Sequence, residues 1–205
     1  MRLMSENPMK FLPVLLLLMI LAMTGFGCEV DDRVPVRVFT SEGSFLMAVD
    51  TFSAPSTSRN FLRYVASKHY DGGSFFRVVR MDNQPTDSIR IEVIQGGANL
   101  EKSENFFDPI VLERTSETGL LHVDGAISMA RGGPDSATNS FFICIGDQPS
   151  LDFGGMRNPD GQGFAAFGIV LDGMDVIRAI QAGAVERQTL VDPVMIDSVR
   201  VEERP

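Results

Sequence analysis

Few side chains in this 205-residue sequence are equipped for bond-making chemistry: it holds two histidines, His69 and His122, and two cysteines, Cys28 and Cys144. Two histidines give a histidine-centred catalytic or metal site little material, and each is expected at the surface or in a loop. No cysteine pair has zinc-ligand spacing and no GxxxxGKS/T stretch occurs, so neither zinc nor P-loop phosphate chemistry has a basis here. The loop GGPDSATNS (Gly132 to Ser140) superficially resembles a phosphate cradle. It lacks a following lysine and leads into a strand-like run instead of a helix N-terminus, so its glycines read as turn chemistry. The carboxylates are scattered at turns and element ends, and no two of them are marked as an acid and base pair. No metal or cofactor is implied.

The elements that must position any site come next. With 44% hydrophobic and 22% charged residues, the chain can bury one sizeable core, and a single domain is expected. Arg2 and Lys10 precede an apolar run, FLPVLLLLMILAM (Phe11 to Met23). That run is shorter than the roughly 20 residues that cross a bilayer and contains Pro13, so residues 1–27 read as a signal peptide or an N-terminal membrane anchor. LAMTGFGC, ending at Cys28, resembles a bacterial lipoprotein signal, with Gly25 where such signals usually carry leucine. Cys28 is therefore either the lipid-bearing first residue or an unmodified residue near a cleavage site. Residues 28–33 form a short acidic tether and residues 34–205 the domain. Cys144, inside FFICI, is expected to be buried as a small hydrophobe, a poor disulfide partner for a cysteine in the leader. The formal charge of −9 becomes −10 when Arg2, Lys10 and Glu6 leave with the leader, since one net positive charge is lost. Such acidity leaves no footprint for nucleic acid or anionic lipid.

VPVRVFT (Val34 to Thr40) and SFLMAVD (Ser44 to Asp50) flank a turn at Gly43 and predict a β-hairpin. In STSRNFLRYVASK, Ser56 or Thr57 is the expected N-cap, with Phe61, Leu62 and Val65 at helical spacing. SFFRVVR, IRIEVIQ, GAISMAR, SFFICIG and FAAFGIV read as strands, GMDVIRAIQAG (Gly173 to Gly183) as a second helix, and PVMIDSVRVEE as a closing strand. Many short strands with two well-separated helices predict a mainly β fold, an antiparallel barrel whose ends the helices cover.

GAISMARGGPDSATNSFFI (Gly125 to Ile143), FFRVV (Phe75 to Val79), IQGG (Ile94 to Gly97) and FAAFGIVLDGMDVI (Phe164 to Ile177) occur in an order and spacing that resemble the cyclophilin family of peptidyl-prolyl isomerases. The resemblance runs from about Val34 to Val201. It implies an eight-stranded antiparallel β-barrel capped by two α-helices, and a site that rotates X-Pro peptide bonds without nucleophile or cofactor. Position by position, it implies Arg77 as the catalytic arginine and Gln95 as the glutamine that orients it. It also implies Phe75, Val93, Met129, Ala130, Arg131, Phe142, Leu151 and Phe164 as residues lining the proline pocket and its groove. Turning the amide meets a barrier of about 18 to 20 kcal/mol because resonance holds the C–N bond planar. A guanidinium that donates to the proline nitrogen as it becomes pyramidal favours the twisted state.

Several positions depart from the family's pattern: Phe76 and Phe164 replace histidines, Arg131 an asparagine, Ser140 a glutamine and Ser150 a tryptophan. The stretch RMDNQPTDSIRIEV is longer than the family's short connection and sets Glu92 where an aromatic pocket wall is usual, so either the pocket is more open or another residue fills it. LDFGGMRNPDGQGF is likewise expanded. The resemblance implies proline-containing peptides as partners; together with the leader, it leads to the expectation of unfolded exported proteins as partners of a monomer outside the cytoplasm, held at the membrane by its leader or a lipid. The altered groove also admits a peptide-binding or chaperone module with weak or no isomerase activity.

Overall fold

The computed structural model describes residues 33–203. The leader, its apolar run, Cys28 and most of the tether lie outside them. The chain runs β1 (Arg33–Thr40), β2 (Gly43–Asp50), α1 (Pro55–Ala66), β3 (Gly73–Val79), β4 (Val93–Gly97), α2 (Thr115–Thr118), β5 (Ala126–Met129), β6 (Phe141–Cys144), β7 (Ala165–Asp172), α3 (Met174–Gln181), β8 (Val185–Glu186) and β9 (Thr189–Val201). Every pairing is antiparallel, in the order β1-β2-β7-β5-β6-β4-β3-β9, and β9 returns to β1 through Val38 opposite Val199. Eight strands thus close a barrel and leave no free edge. The two-residue β8 forms a hairpin with β9.

Alternation fills the interior. Val36 and Val38 of β1, Phe45, Met47 and Val49 of β2, Ile94 of β4, Ile127 of β5 and Phe141 and Ile143 of β6 are all buried in one core, while the residues between them face outward. Helix α1 closes one end with Phe61, whose ring lies 5.1 to 5.6 Å from those of Tyr70, Phe141 and Phe167. Helix α3 contributes Ile177 and Ile180 to the same core. It starts at Gly173, whose φ of +87° and 2.6 Å approach of a would-be Cβ to Phe45 require glycine.

The structure differs from the sequence expectations at two points. The N-cap of α1 is Ala54, with Pro55 in the first turn, and not Ser56 or Thr57. The amides of Ser56 and Thr57 donate instead to the Glu113 carboxylate at 3.0 and 2.7 Å, so a distant side chain satisfies the orphan donors. The strand expected from IRIEVIQ begins only at Val93, because Gln84 holds the preceding loop by donating to the carbonyls of Arg80 and Ile91. Both histidines lie in loops, as expected, and both are buried there. His69 is buried among Tyr64, Phe106 and Phe107, and His122 is buried beside β5.

Candidate functional site

The site lies on the outer face of β3, β4, β5 and β6, where the same alternation that fills the core turns the other side chains outward. From β4 come Val93 and Gln95, from β6 Phe142, and from the end of β5 Ala130. With Arg77, Ile91, Leu151, Arg157 and Phe164 they line a cavity of about 220 Å³. Phe142 and Leu151 are nearly fully buried and give it an apolar floor.

Arg77 reaches this face because β3 is irregular. Phe75 pairs with Gly96 and Arg77 with Gln95, so Phe76 is an extra residue that flips the alternation between them. Phe75 therefore points into the barrel, fully buried against Phe45 and Phe141, and Arg77 points out. This corrects the expectation that Phe75 lines the groove. Met129 is corrected for a related reason: it shares the inward face of β5 with Ile127 and lies in the core, so only its neighbour Ala130 reaches the cavity.

Two amide oxygens hold the Arg77 guanidinium. Nη1 donates to Oε1 of Gln95 at 2.9 Å, while Nε and Nη2 donate to Oε1 of Gln188 at 3.0 and 2.6 Å. Burial, and secondarily the positive charge of Arg157, lowers the Arg77 pKa, with Asp87 acting in the opposite sense. An arginine so perturbed still stays protonated at neutral pH.

Phe142 is braced from behind. The His122 ring stacks on it at 5.9 Å with 14° between planes. Nδ1 of His122 lies 2.7 Å from Asp152 Oδ1, and Nε2 lies 2.9 Å from Ser128 Oγ. A carboxylate only accepts, so in the neutral imidazole Nδ1 carries the proton and Nε2 accepts from the serine hydroxyl. The serine, histidine and carboxylate order suggests acyl chemistry, yet Ser128 is completely buried. The array fixes an aromatic floor and presents no nucleophile.

The remaining wall comes from the expanded loops. Arg131 donates to the Gly163 carbonyl and to both Asp160 oxygens, at 2.7 and 2.9 Å, with its guanidinium carbon 5.0 Å from the centre of the Phe164 ring. Phe164 meets Phe142 edge to face at 5.4 Å. Gly163 turns at φ +66°, where a Cβ would strike the Asp152 carbonyl carbon at 2.6 Å. Arg157 donates through Nη1 to the Ile89 carbonyl at 2.7 Å and lies 3.0 Å from Asp87, joining the two expanded loops. Ile91, 5% exposed, fills the wall that Glu92 could not. Glu92 accepts from Gln181 of α3 instead.

Of the expected site residues, Arg77, Gln95, Val93, Ala130, Arg131, Phe142, Leu151 and Phe164 come together at one cavity. Ile91, Arg157, Gln188 and the His122 brace were missed. Only Ile91 carried a local signal, as the apolar residue next to Glu92.

A closed antiparallel barrel with an outward cavity, an apolar floor and a clamped arginine on its wall defines a protein of the cyclophilin class. Residues 35–201 match the family described as cyclophilin type peptidyl-prolyl cis-trans isomerase, and the chain belongs to that family. It is 33% identical to peptidyl-prolyl cis-trans isomerase cyp18 of Streptomyces antibioticus, over 81% of this chain and 97% of the relative. Identity to peptidyl-prolyl cis-trans isomerase B of Escherichia coli is 31%, over 82% and 99%. The fold is also that of a cyclophilin-type isomerase from Cryptosporidium parvum, with a TM-score of 0.64 at 20% identity over 84% of this chain and 99% of that one.

Proposed function

We propose that this peptidyl-prolyl cis-trans isomerase acts on X-Pro bonds of extended or unfolded segments of exported proteins, outside the cytoplasm. The observation that carries the catalytic reading is the Arg77 guanidinium, held by two uncharged amides on the wall of a cavity with an apolar floor. Phe142 and Leu151 grip the proline ring, and the peptide beyond it rotates. As the C–N bond twists, its resonance is lost and the nitrogen lone pair becomes an acceptor. Arg77 donates to it there, a contact absent from the planar ground state, so the interaction lowers the barrier instead of tightening binding. Uncatalysed exchange takes tens to hundreds of seconds, slow enough to limit folding of exported chains.

The extracytoplasmic placement is supported by Arg2 and Lys10 ahead of the apolar run Phe11 to Met23, and by Cys28 after small residues. The leader or a lipid on Cys28 holds the domain at the membrane. Among the described residues no helix is long and apolar enough to cross a bilayer.

The test is cis–trans exchange in X-Pro peptides followed by NMR, with the full chain purified in detergent and its Arg77→Ala variant. Acceleration lost in the variant supports the reading. Peptide binding without acceleration in the unaltered chain overturns it and leaves a peptide-binding module.

A further inference from the structure

The Arg77 clamp has a second jaw. A guanidinium carries five N–H donors. Oε1 of Gln188 takes the Nε edge, through Nε at 3.0 Å and Nη2 at 2.6 Å, and Gln95 takes Nη1 at 2.9 Å. One hydrogen on Nη1 and one on Nη2 remain for the substrate. With acceptors at both ends the plane of the guanidinium is fixed, whereas Gln95 alone would leave it free to swing about one bond.

Gln188 is itself oriented. It sits in the turn between β8 and β9, and its backbone carbonyl accepts from the Val78 amide at 2.8 Å, which anchors the turn to the residue after Arg77. Its side-chain Nε2 points to the Asn83 carbonyl at 3.4 Å, so the oxygen must face the arginine. Gln188 does not line the peptide cavity. It borders a second cavity, of about 870 Å³, that Arg77 also lines. Its side-chain oxygen is hydrogen-bonded to Arg77, the residue through which it reaches the peptide cavity.

Both jaws are neutral. A carboxylate in either place would hold the guanidinium equally well but pair with its charge, weakening the field at the developing lone pair. We propose that Gln188 is a positioning residue for the isomerase reaction, fixing the plane of Arg77 while leaving its positive charge unpaired for the twisted amide. The inference rests on the reading of Arg77 as the donor.

The experiment compares the full chain with Gln188→Leu, Gln188→Glu and Arg77→Ala by NMR exchange between pH 4 and 8. Gln188→Leu is expected to lower kcat about tenfold with KM within about twofold, as loss of orientation and not of binding. Gln188→Glu keeps the size, the backbone contact and an acceptor oxygen. Its rate relative to the unaltered chain should be about tenfold down throughout that range, because pairing with Arg77 holds the new carboxyl below the ordinary carboxylate range and so keeps it ionised. A folding role alone would spare this variant of equal size. Gln188 variants within twofold of the unaltered kcat, beside a slow Arg77→Ala, overturn the inference while sparing the Arg77 reading. A fast Arg77→Ala overturns both.

Discussion

Arg77→Lys separates charge from geometry. Lysine keeps a positive charge on this wall but offers one ammonium in place of a planar fork, and it cannot reach Gln95 and Gln188 together. Loss of one preorganised donor to a developing charge costs about 2.7 to 4 kcal/mol, or about 10² to 10³ in rate. Against a barrier of about 18 to 20 kcal/mol this is a modest share, but it is the share that belongs to the twisted state. The loss should therefore appear in kcat, with peptide affinity nearly unchanged. Stability should change by less than about 1 kcal/mol, because both amide oxygens border cavities where water replaces the lost donor. NMR exchange gives kcat and KM, and urea unfolding gives the stability control. A lysine variant that keeps a third or more of the unaltered kcat/KM would refute the reasoning, since charge alone would then suffice.

Phe142→Ala removes a floor residue that is 5% exposed and packed by His122 and Phe164; it should raise KM at least tenfold and lower stability by about 3 kcal/mol, measured by peptide titration and urea unfolding. Asp71 accepts two hydrogen bonds from Arg200, which hold its carboxyl below the ordinary carboxylate range, with a smaller contribution from the Val199 amide. A depressed folded-state pKa adds stability that is present above the unfolded-state value and is lost as pH falls through the folded one. Arg200→Gln should thus cost about 0.5 to 1 kcal/mol at pH 7 and nothing once the pH is below the carboxylate range, as read from urea midpoints at both pH values. Cys144 is fully buried, and burial, helped by Asp152, Asp124 and Asp147, pushes its thiol pKa up. It should resist a thiol reagent in the native state and be labelled at the rate of unfolding, a difference mass spectrometry reads directly.

The barrel was legible because β1 alternates apolar and polar residues, β2 and β6 are short apolar runs rich in aromatic and branched side chains between turn residues, and two amphipathic runs stand apart from them. Single-residue offsets were not legible. Strict alternation sets Phe75 and Arg77 on one face, and only the extra residue Phe76 separates them, a backbone irregularity that no side-chain pattern announces. Alternation does forbid Met129 and Ala130 from sharing a face, and that physical rule, applied to the quoted motif, would have withdrawn Met129. His122 lies in a loop, as the sequence suggested, but its burial was not legible. Its burial depends on Asp152 and Ser128, 30 and 6 residues away, which satisfy both ring nitrogens. Gln188 lies 111 residues from Arg77 and is joined to it only by the fold.

The departures from the family's pattern act together. Arg131 and Phe164 stand where the family usually has asparagine and histidine, and here one guanidinium lies over the other's ring while Asp160 and the Gly163 carbonyl neutralise and hold it. The pair thus trades two polar groups that could meet a peptide for a stacked, internally satisfied wall. The lengthened loop after β3 supplies Ile91 to that wall, Asp87 to Arg157 and the Asn83 carbonyl to Gln188. Its length is therefore not slack: one segment closes the pocket, ties down the neighbouring loop and orients the amide that fixes Arg77. The cavity wall is thus rewritten in residue type around an Arg77 that Gln95 still holds on one side and Gln188 holds on the other.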